Sequence, residues 1–309
     1  MMIDRCYIEI TNTCNLNCDF CPKHHRAKRQ LSLEEFDLLT DKICGKVSFL
    51  YFHLMGEPLL HPLLPLFITM ARKKGFKTVL TSNGTLLPRC MQLLDTLPHK
   101  IQLSLHSHES NSLEKADADH VGRAQSKLAV YMDEVMHFST QAAQQGTCVV
   151  LRLWNQGGRD KENEEVVHLI ERYVPTPWKE RSDGFRLDEN LYLEFDRKFQ
   201  WPDSREHNLE EKQDKTVKIE GGKKPQLFCK ALLKQIGVLV DGSLVPCCLD
   251  HNGDVVLGNL FQQSLEEILS SPRAKAMLEG FKHHVASEKL CRTCESALAR
   301  NSFRGKART

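Results

Sequence analysis

The sequence lacks the features of secreted, membrane-spanning and nucleic-acid-binding proteins. The N-terminus carries no signal peptide, and no apolar run among the 309 residues is long enough to span a bilayer. The 42 basic and 40 acidic residues nearly balance, whereas an electrostatic nucleic-acid binder needs a strongly basic domain. We therefore expect a cytoplasmic, monomeric protein that binds neither membranes nor nucleic acids.

Cysteine, by contrast, is abundant. The chain has 12 cysteines, and without secretion such a number indicates metal ligands rather than disulfides. Three of them stand close together near the start of the chain, at Cys14, Cys18 and Cys21. Three thiolates on one tight loop can hold three irons of a four-iron cluster and leave the fourth iron open for chemistry. A zinc site with His24 or His25 as the fourth ligand is the alternative, in a protein without turnover.

The Cys-x3-Cys-x2-Cys spacing, with Phe20 directly before the third cysteine, resembles the signature of the radical S-adenosylmethionine (SAM) superfamily. The resemblance implies a [4Fe-4S] cluster on the three cysteines, SAM on its open iron beside Phe20, and a flavodoxin or ferredoxin as electron donor. It also implies the reaction, in which SAM is cleaved reductively to a 5′-deoxyadenosyl radical that takes a hydrogen atom from the substrate. The protein then has to place the substrate and exclude water.

Segments typical of strands and of helices alternate over about the first 200 residues, which predicts a parallel sheet with crossover helices. Six units are too few for a closed eight-stranded barrel. We therefore predict an α/β fold with a partial (β/α)6 TIM-like barrel, which the resemblance also implies. The predicted strands are Tyr7–Ile10, Val47–Leu54, Lys77–Thr81, Ile101–Leu105, Thr147–Trp154 and Leu191–Phe195. The predicted helices are one capped by Ser32 and ending at Ile43, Pro62–Lys74, a short one after Pro88, Gly122–Gln145 and Asp160–Tyr173.

The composition divides the chain into three parts. Residues 1–202 form the barrel core, residues 203–225 are a polar linker or loop, and residues 226–309 form a small α+β domain. Ligands of parallel sheets bind at the carboxyl ends of the strands. The cysteine loop, which follows the first strand, is therefore expected at the mouth of the barrel.

Motifs at the ends of the next strands supply candidate SAM-binding residues. Gly56, Glu57 and Pro58 resemble the Gly-Gly-Glu-Pro motif of the superfamily, with Met55 in place of the first glycine. The resemblance implies that this motif receives the methionine ammonium through backbone carbonyls and its acidic side chain. It also implies that polar groups on the third and fourth strands contact the carboxylate or ribose of SAM. These groups are Ser82, Asn83 and Ser104. Ordinary hydrogen bonding within turns and strands is the alternative for all of them.

Arg152 stands inside the apolar fifth strand. A buried charge needs a partner, which is either the carboxylate of SAM or an acidic residue of a neighbouring helix. Carboxylates with aromatic neighbours near the mouth can bind an amine or the donor edge of a purine-like base. The candidate substrate contacts are His53, His106, Tyr192, Glu194 and Asp196.

Four further cysteines indicate a second cluster, and their spacing resembles a SPASM extension shortened to the form called a twitch domain. They are Cys229, Cys247, Cys291 and Cys294. Four thiolates close one [4Fe-4S] cluster, and the alternative is a four-cysteine zinc site. Asp241-Gly242 predicts a type I′ hairpin turn that brings the first two of these cysteines together. The glycine spacing favours Cys247 over its neighbour Cys248 as the ligand.

The substrate is less strongly indicated. The first predicted strand lies near the start of the chain, so we expect no N-terminal peptide-recognition domain and favour a small-molecule substrate. The layout also resembles the queuine lyases, which break a carbon–nitrogen bond to release a base. A small-molecule dehydrogenase is the main alternative. The basic run from Lys23 to Arg29 leaves open a tRNA-modifying enzyme, and a peptide-modifying enzyme is a further alternative.

Overall fold

A single mixed sheet connects the parts of the chain that the computed structural model describes, which are residues 2–18, 20–105, 127–155, 164–197, 199–203 and 227–298. Its strands are β1 Ile3–Ile8, β2 Val47–Phe52, β3 Lys77–Ser82, β4 Lys100–Ser104, β5 Cys148–Asn155, β6 Lys179–Arg181, β7 Gly184–Asp188, β8 Leu191–Arg197, β9 Gln235–Val238, β10 Ser243–Val245 and β11 Gly258–Asn259. Their order across the sheet is β11-β10-β9-β1-β2-β3-β4-β5-β8-β7-β6.

The central strands β1, β2, β3, β4, β5 and β8 run parallel, in chain order. This arrangement confirms the predicted partial barrel with its six parallel strands. At one edge, β6 and β7 add an antiparallel hairpin that the sequence analysis did not predict. At the other edge, β9 pairs in parallel with β1, so the C-terminal hairpin of β9 and β10 continues the barrel sheet.

Helices cover one face of the sheet. They are α1 Leu33–Ile43, α2 Leu64–Lys73, α3 Lys127–Gln144 and α4 Glu164–Glu171 in the barrel, then α5 Leu265–Ser270, α6 Pro272–Lys282, α7 Lys289–Arg292 and α8 Glu295–Leu298. Ser32 and Glu35 form the predicted capping box of α1. The short helix expected after Pro88 is two 3-10 helices, Leu87–Arg89 and Met91–Asp95. No helix in these ranges is long and apolar enough to cross a membrane.

The two faces of the parallel sheet differ in polarity because side chains alternate along each strand. Ile8, Phe52 and Leu103 belong to the apolar core, together with Phe36 of α1 and Phe67 of α2. The alternate positions carry polar and aromatic residues on the concave face. They include Tyr7, Tyr51, His53, Gln102, Arg152, Trp154 and Glu194. A barrel whose inner face is polar offers a binding surface rather than a packed interior.

The C-terminal hairpin turn differs from the predicted type I′ turn, which requires positive φ at both central residues. Only Gly242 of the pair has positive φ, at 81°. The Gly242 amide donates to the Leu239 carbonyl at 2.9 Å, which makes a type I turn followed by a left-handed glycine. Asp241 instead accepts a hydrogen bond from the Ser243 amide at 3.0 Å, and this contact stabilises the longer loop.

Candidate active site

The three-cysteine loop lies at the carboxyl end of β1. Cys14 is exposed, and Cys18 and Cys21 are half-buried. The loop turns tightly, since the Cys21 amide donates to the Cys18 carbonyl at 3.3 Å and the Leu16 amide donates to the Cys14 sulfur at 3.4 Å. Although Cys14 as a residue is exposed, partial desolvation of its thiol raises the pKa of Cys14, and the nearby Glu57, Cys18 and Cys21 add to this rise. Because thiols crowd together here, a cationic metal centre suits them.

Asn12 fixes the base of this loop. Its side-chain nitrogen donates to the Ala27 carbonyl at 2.7 Å, and its side-chain oxygen accepts from the Arg29 amide at 2.8 Å. The Asn12 carbonyl lies 2.8 Å from a ring nitrogen of His24, the residue that the zinc alternative uses as a ligand. The two ends of the loop are therefore held together by one buried side chain.

Gly56 allows the second strand to reach the cysteine loop. It has a φ of +77°, and a Cβ at this position would lie 2.3 Å from the Thr11 carbonyl oxygen and 2.9 Å from that of Thr13. The Glu57 amide donates to the Thr13 carbonyl at 2.9 Å. This position therefore requires glycine because the two backbones touch. Pro58 follows as the first residue of a buried 3-10 helix.

Glu57 is buried and has three hydrogen-bond donors in this structure. Its carboxylate accepts from the Ser82 hydroxyl at 2.8 Å, the Asn83 amide at 2.8 Å and the Leu59 amide at 3.0 Å. Burial raises the pKa of Glu57 to about 7, while the three hydrogen bonds oppose the rise. The structure thus brings together three of the predicted residues, with the Glu57 side chain joining the end of β2 to the end of β3.

Two polar residues that the sequence analysis missed, Asn15 and Thr85, connect the loop to the end of β3, and a third, Tyr131, binds there from a helix. Asn83 donates to the side-chain oxygen of Asn15 at 3.1 Å, and Asn15 donates to the Thr85 hydroxyl at 2.8 Å. Tyr131 of α3 donates to the Asn83 carbonyl at 2.8 Å. Asn15, one of the two asparagines between Cys14 and Cys18, and the Ser-Asn-Gly turn after β3 are the signals that could have predicted this link.

A row of polar side chains crosses the concave face near the mouth. Ser104, Arg152 and Glu194 occupy neighbouring positions on β4, β5 and β8. Arg152 forms an ion pair with Asp196 and lies 3.9 Å from Glu194, and its guanidinium is 4.6 Å from the Trp154 ring centroid. The sequence analysis expected Arg152 to pair either with the carboxylate of SAM or with an acidic residue of a helix. In the structure its partners are acidic residues, but they come from the neighbouring strand β8.

The remaining predicted contacts lie at different places. His53 faces the same interior, and burial together with the charge of Arg152 lowers the pKa of its imidazole to about 4. Its ring centroid is 6.0 Å from that of Tyr7. Tyr192 instead lies beside Arg181 at the sheet edge, 4.9 Å from ring centroid to guanidinium. Phe20 is half-buried on the cysteine loop, and His106 is outside the described residues.

The four C-terminal cysteines line one cavity, which is partly open to solvent. Apart from their thiols its walls are apolar, formed by Pro202, Leu227, Ala231, Pro246, Leu249, Leu290 and Ala297. Burial raises the pKa of Cys247 and of Cys291, and neighbouring cysteines add to both effects. Four thiols in an apolar cavity fit an iron–sulfur cluster, which binds through thiolates and offsets their charge.

Cys248 differs from Cys247 in its surroundings. It packs against the apolar cluster of Tyr7, Leu54, Leu239 and Val245, and it is not among the residues that line the cavity. Among the described residues, no three His, Cys, Asp or Glu side chains are arranged around a single metal ion. The ligands of a cluster bind separate irons, so they need not meet at one point.

Comparisons with known proteins identify both regions. Residues 8–123 match the model of the Radical SAM superfamily, and residues 229–295 match SPASM, an iron–sulfur cluster-binding domain. The tungsten-containing aldehyde ferredoxin oxidoreductase cofactor-modifying protein of Pyrococcus furiosus is 34% identical over 86 residues, which are 26% of this chain and 24% of that protein. The chain spans about a quarter of the length of the curated relatives it matches.

Two solved structures share the fold. BtrN in complex with AdoMet and 2-DOIA aligns with a TM-score of 0.53 at 16% identity, over 96% of this chain and 94% of BtrN. Streptococcus suis SuiB bound to its precursor peptide SuiA aligns with a TM-score of 0.57 at 14% identity, over 99% of this chain and 74% of SuiB. The domain matches confirm the family resemblance: the chain carries a radical SAM domain and a SPASM domain, and these imply SAM and [4Fe-4S] clusters as its cofactors.

Proposed function

We propose that this radical SAM enzyme takes a hydrogen atom from a small-molecule substrate at the mouth of its partial barrel. The observation that carries the proposal is the cysteine loop itself. Three thiols stand at the carboxyl end of β1, and the loop is joined to the ends of β2 and β3 through Gly56 and Asn83. Its position beside the polar concave face gives a reactive centre and a binding surface at the same end of the sheet.

Cys14, Cys18 and Cys21 would hold the first [4Fe-4S] cluster, with SAM on the remaining iron. When bound and reduced, this cluster would supply the electron that cleaves SAM to methionine and a 5′-deoxyadenosyl radical. The backbone carbonyls of residues 56–58 would accept hydrogen bonds from the methionine ammonium. In this proposal Glu57 is a positioning residue. Its carboxylate accepts hydrogen bonds from the Ser82 hydroxyl and the Asn83 amide, and so holds the end of β3 against the end of β2, where SAM would bind.

Cys229, Cys247, Cys291 and Cys294 would hold the auxiliary cluster. All four thiols face one apolar cavity, whereas Cys248 packs against Tyr7 on the barrel side. This difference favours Cys247 over Cys248 as the ligand. The apolar walls of this cavity would also affect the reduction potential of the cluster, which depends on solvent exposure.

The concave face supports a small, hydrogen-bonding substrate. Arg152, Glu194 and Asp196 present one cationic and two anionic groups, and His53 beside them is held neutral by its lowered pKa. Such a wall suits a compact molecule with both donors and acceptors, such as an amine or a heterocyclic base. The BtrN complex with 2-DOIA and the cofactor-modifying protein of Pyrococcus furiosus are in line with a small substrate. Release of a base by C–N cleavage is the first outcome to test, and dehydrogenation is the second.

The test is anaerobic turnover of the reconstituted protein with SAM and a metabolite panel that includes amines, nucleosides and 7-deazaguanine derivatives. We expect one substrate class to raise 5′-deoxyadenosine formation and to give a product, which mass spectrometry assigns to base release or to loss of two hydrogens. Arg152→Gln should lower product formation about 100-fold while SAM cleavage continues. Arg172→Gln, just after α4 with 49% of its side chain exposed, is the matched control and should behave as wild type. Turnover of peptides or tRNA alone would contradict the proposal.

A further inference from the structure

A buried ion pair lies directly behind the cysteine loop. Glu9 follows β1 with a fully buried side chain, and Arg26 comes five residues after Cys21 with 14% of its side chain exposed. Both guanidinium nitrogens donate to the carboxylate, Nη1 to Oε2 and Nη2 to Oε1, each at 2.6 Å. A bidentate pair of this kind fixes direction as well as distance. Arg26 therefore does not belong to a solvated basic surface, although its sequence neighbours are basic.

The same pair also reaches the C-terminal domain on both sides of Cys247. The Val240 amide donates to Glu9 Oε2 at 2.9 Å, seven residues before that cysteine. Arg26 Nη2 donates to the His251 carbonyl at 3.1 Å, four residues after it. A third contact runs beside these, from the His25 amide to the Asn252 side-chain oxygen at 3.1 Å.

These hydrogen bonds connect the segment after the first cysteine loop directly to the segments on either side of Cys247. On one side, Arg26 continues the segment that leaves Cys21. On the other, Val240 and His251 flank the segment that carries Cys247 into the auxiliary cavity. Separating the pair would leave a buried charge without its partner, which is costly, so these contacts oppose displacement of one segment relative to the other.

We infer that Glu9 and Arg26 are positioning residues that couple loading of the auxiliary cavity to the geometry of the first cysteine loop. The inference rests on the proposed assignment of a cluster to each set of cysteines. Coupling of this kind is reciprocal. It is measured by comparing the effect of one substitution in two backgrounds, with and without the proposed link.

The test is a double-mutant cycle on the full chain. Cys294→Ala, which removes one auxiliary ligand, is made in the wild type and in the Glu9→Gln/Arg26→Gln variant, which removes both charges together so that neither is left buried alone. The readouts are the EPR spectrum of the reduced first cluster with SAM, iron per chain, and hydrogen exchange of amides in residues 12–29.

In the wild type, we expect Cys294→Ala to shift the EPR g values and to raise loop exchange about tenfold. In the Glu9→Gln/Arg26→Gln background, Cys294→Ala should change neither quantity, because the link is already absent.

Lys74→Met is the control background. Lys74 forms ion pairs with Asp37 and Asp41 within the barrel, and 19% of its side chain is exposed. In this background the effect of Cys294→Ala should equal that in the wild type. If the Glu9→Gln/Arg26→Gln variant does not fold, Arg26→Lys keeps the charge but loses the second hydrogen bond, and it should weaken the effect.

If Cys294→Ala has the same effect in all backgrounds, or no effect in the wild type, the coupling is wrong. The assignment of a cluster to each set of cysteines would still stand. A reconstituted wild-type protein without iron would overturn the cluster assignment and the coupling together. The iron count therefore separates the two failures.

Discussion

The two cysteine sites are built in opposite ways. The first has three thiols within eight residues on one loop, one of them exposed, beside a buried carboxyl group and the polar face of the sheet. The second has four thiols, from segments spread between residues 229 and 294, around an apolar cavity. Open coordination and polar surroundings suit chemistry on a substrate, whereas a closed thiolate set suits electron transfer or structure. The difference predicts separate consequences when each site is damaged.

Removing a thiol from the open site should have the largest effect. Cys18→Ala is expected to reduce 5′-deoxyadenosine formation to background and to remove about four of about eight irons per chain, since two ligands cannot retain the cluster. Chromatography of the products and an iron assay measure both. Cys44→Ala changes an exposed cysteine away from either site and should leave both values at wild-type levels.

Removing a thiol from the closed site should separate cofactor cleavage from turnover. Cys294→Ala is expected to lose a similar share of iron but to keep slow, uncoupled SAM cleavage, while product formation falls about 100-fold. The ratio of product to 5′-deoxyadenosine is the quantity to measure. If Cys18→Ala and Cys294→Ala give the same ratio and the same rate, the two sites do not have different roles.

The junction between β2 and the open site offers a test of backbone contact. Gly56→Ala should lower the free energy of unfolding by about 3 kcal/mol, because the new Cβ meets the Thr11 carbonyl at 2.3 Å and φ is +77°. Gly45→Ala is matched in φ, at +71°, but has no atom within 4 Å, so it should cost about 1 kcal/mol. Urea unfolding compares the two, and equal costs would show that the contact with the loop is unimportant.

The buried carboxyl of the open site predicts a pH dependence. The folded-state pKa of Glu57 is raised from 4.5 to about 7, so the folded protein holds a proton that the unfolded chain has lost between these values. Stability should therefore fall by up to about 3 kcal/mol as the pH rises from 4.5 to 7. Glu57→Gln should flatten this slope in unfolding curves at several pH values. A wild-type slope that the substitution does not change would refute this assignment.

The sequence was sufficient to predict those features whose residues are close together in the chain. The cysteine loop, the capping box at Ser32 and the alternating strands depend on local spacing, and the structure has the loop at the barrel mouth as expected. The family, the fold class and the cofactors were predicted on this basis and are confirmed.

Features that depend on distant residues could not be predicted in the same way. Arg152 required a partner, but pattern alone could not choose among SAM, a helix and the neighbouring β8 that supplies Asp196. Glu9 resembles an isolated polar residue at the end of an apolar strand until the fold brings Arg26 to it. The assignments of individual site residues stay predictions, and the variants above test them.

The most direct test of the central claim is electron–nuclear double resonance of the reduced protein with SAM labelled by ¹⁵N in the amino group and ¹⁷O in the carboxylate. Three protein thiolates leave one iron available, so we predict hyperfine coupling from both labels, which Cys18→Ala removes and Cys294→Ala retains. Full cluster loading without coupling from either label would contradict the account, because SAM would then not bind at the three-cysteine loop.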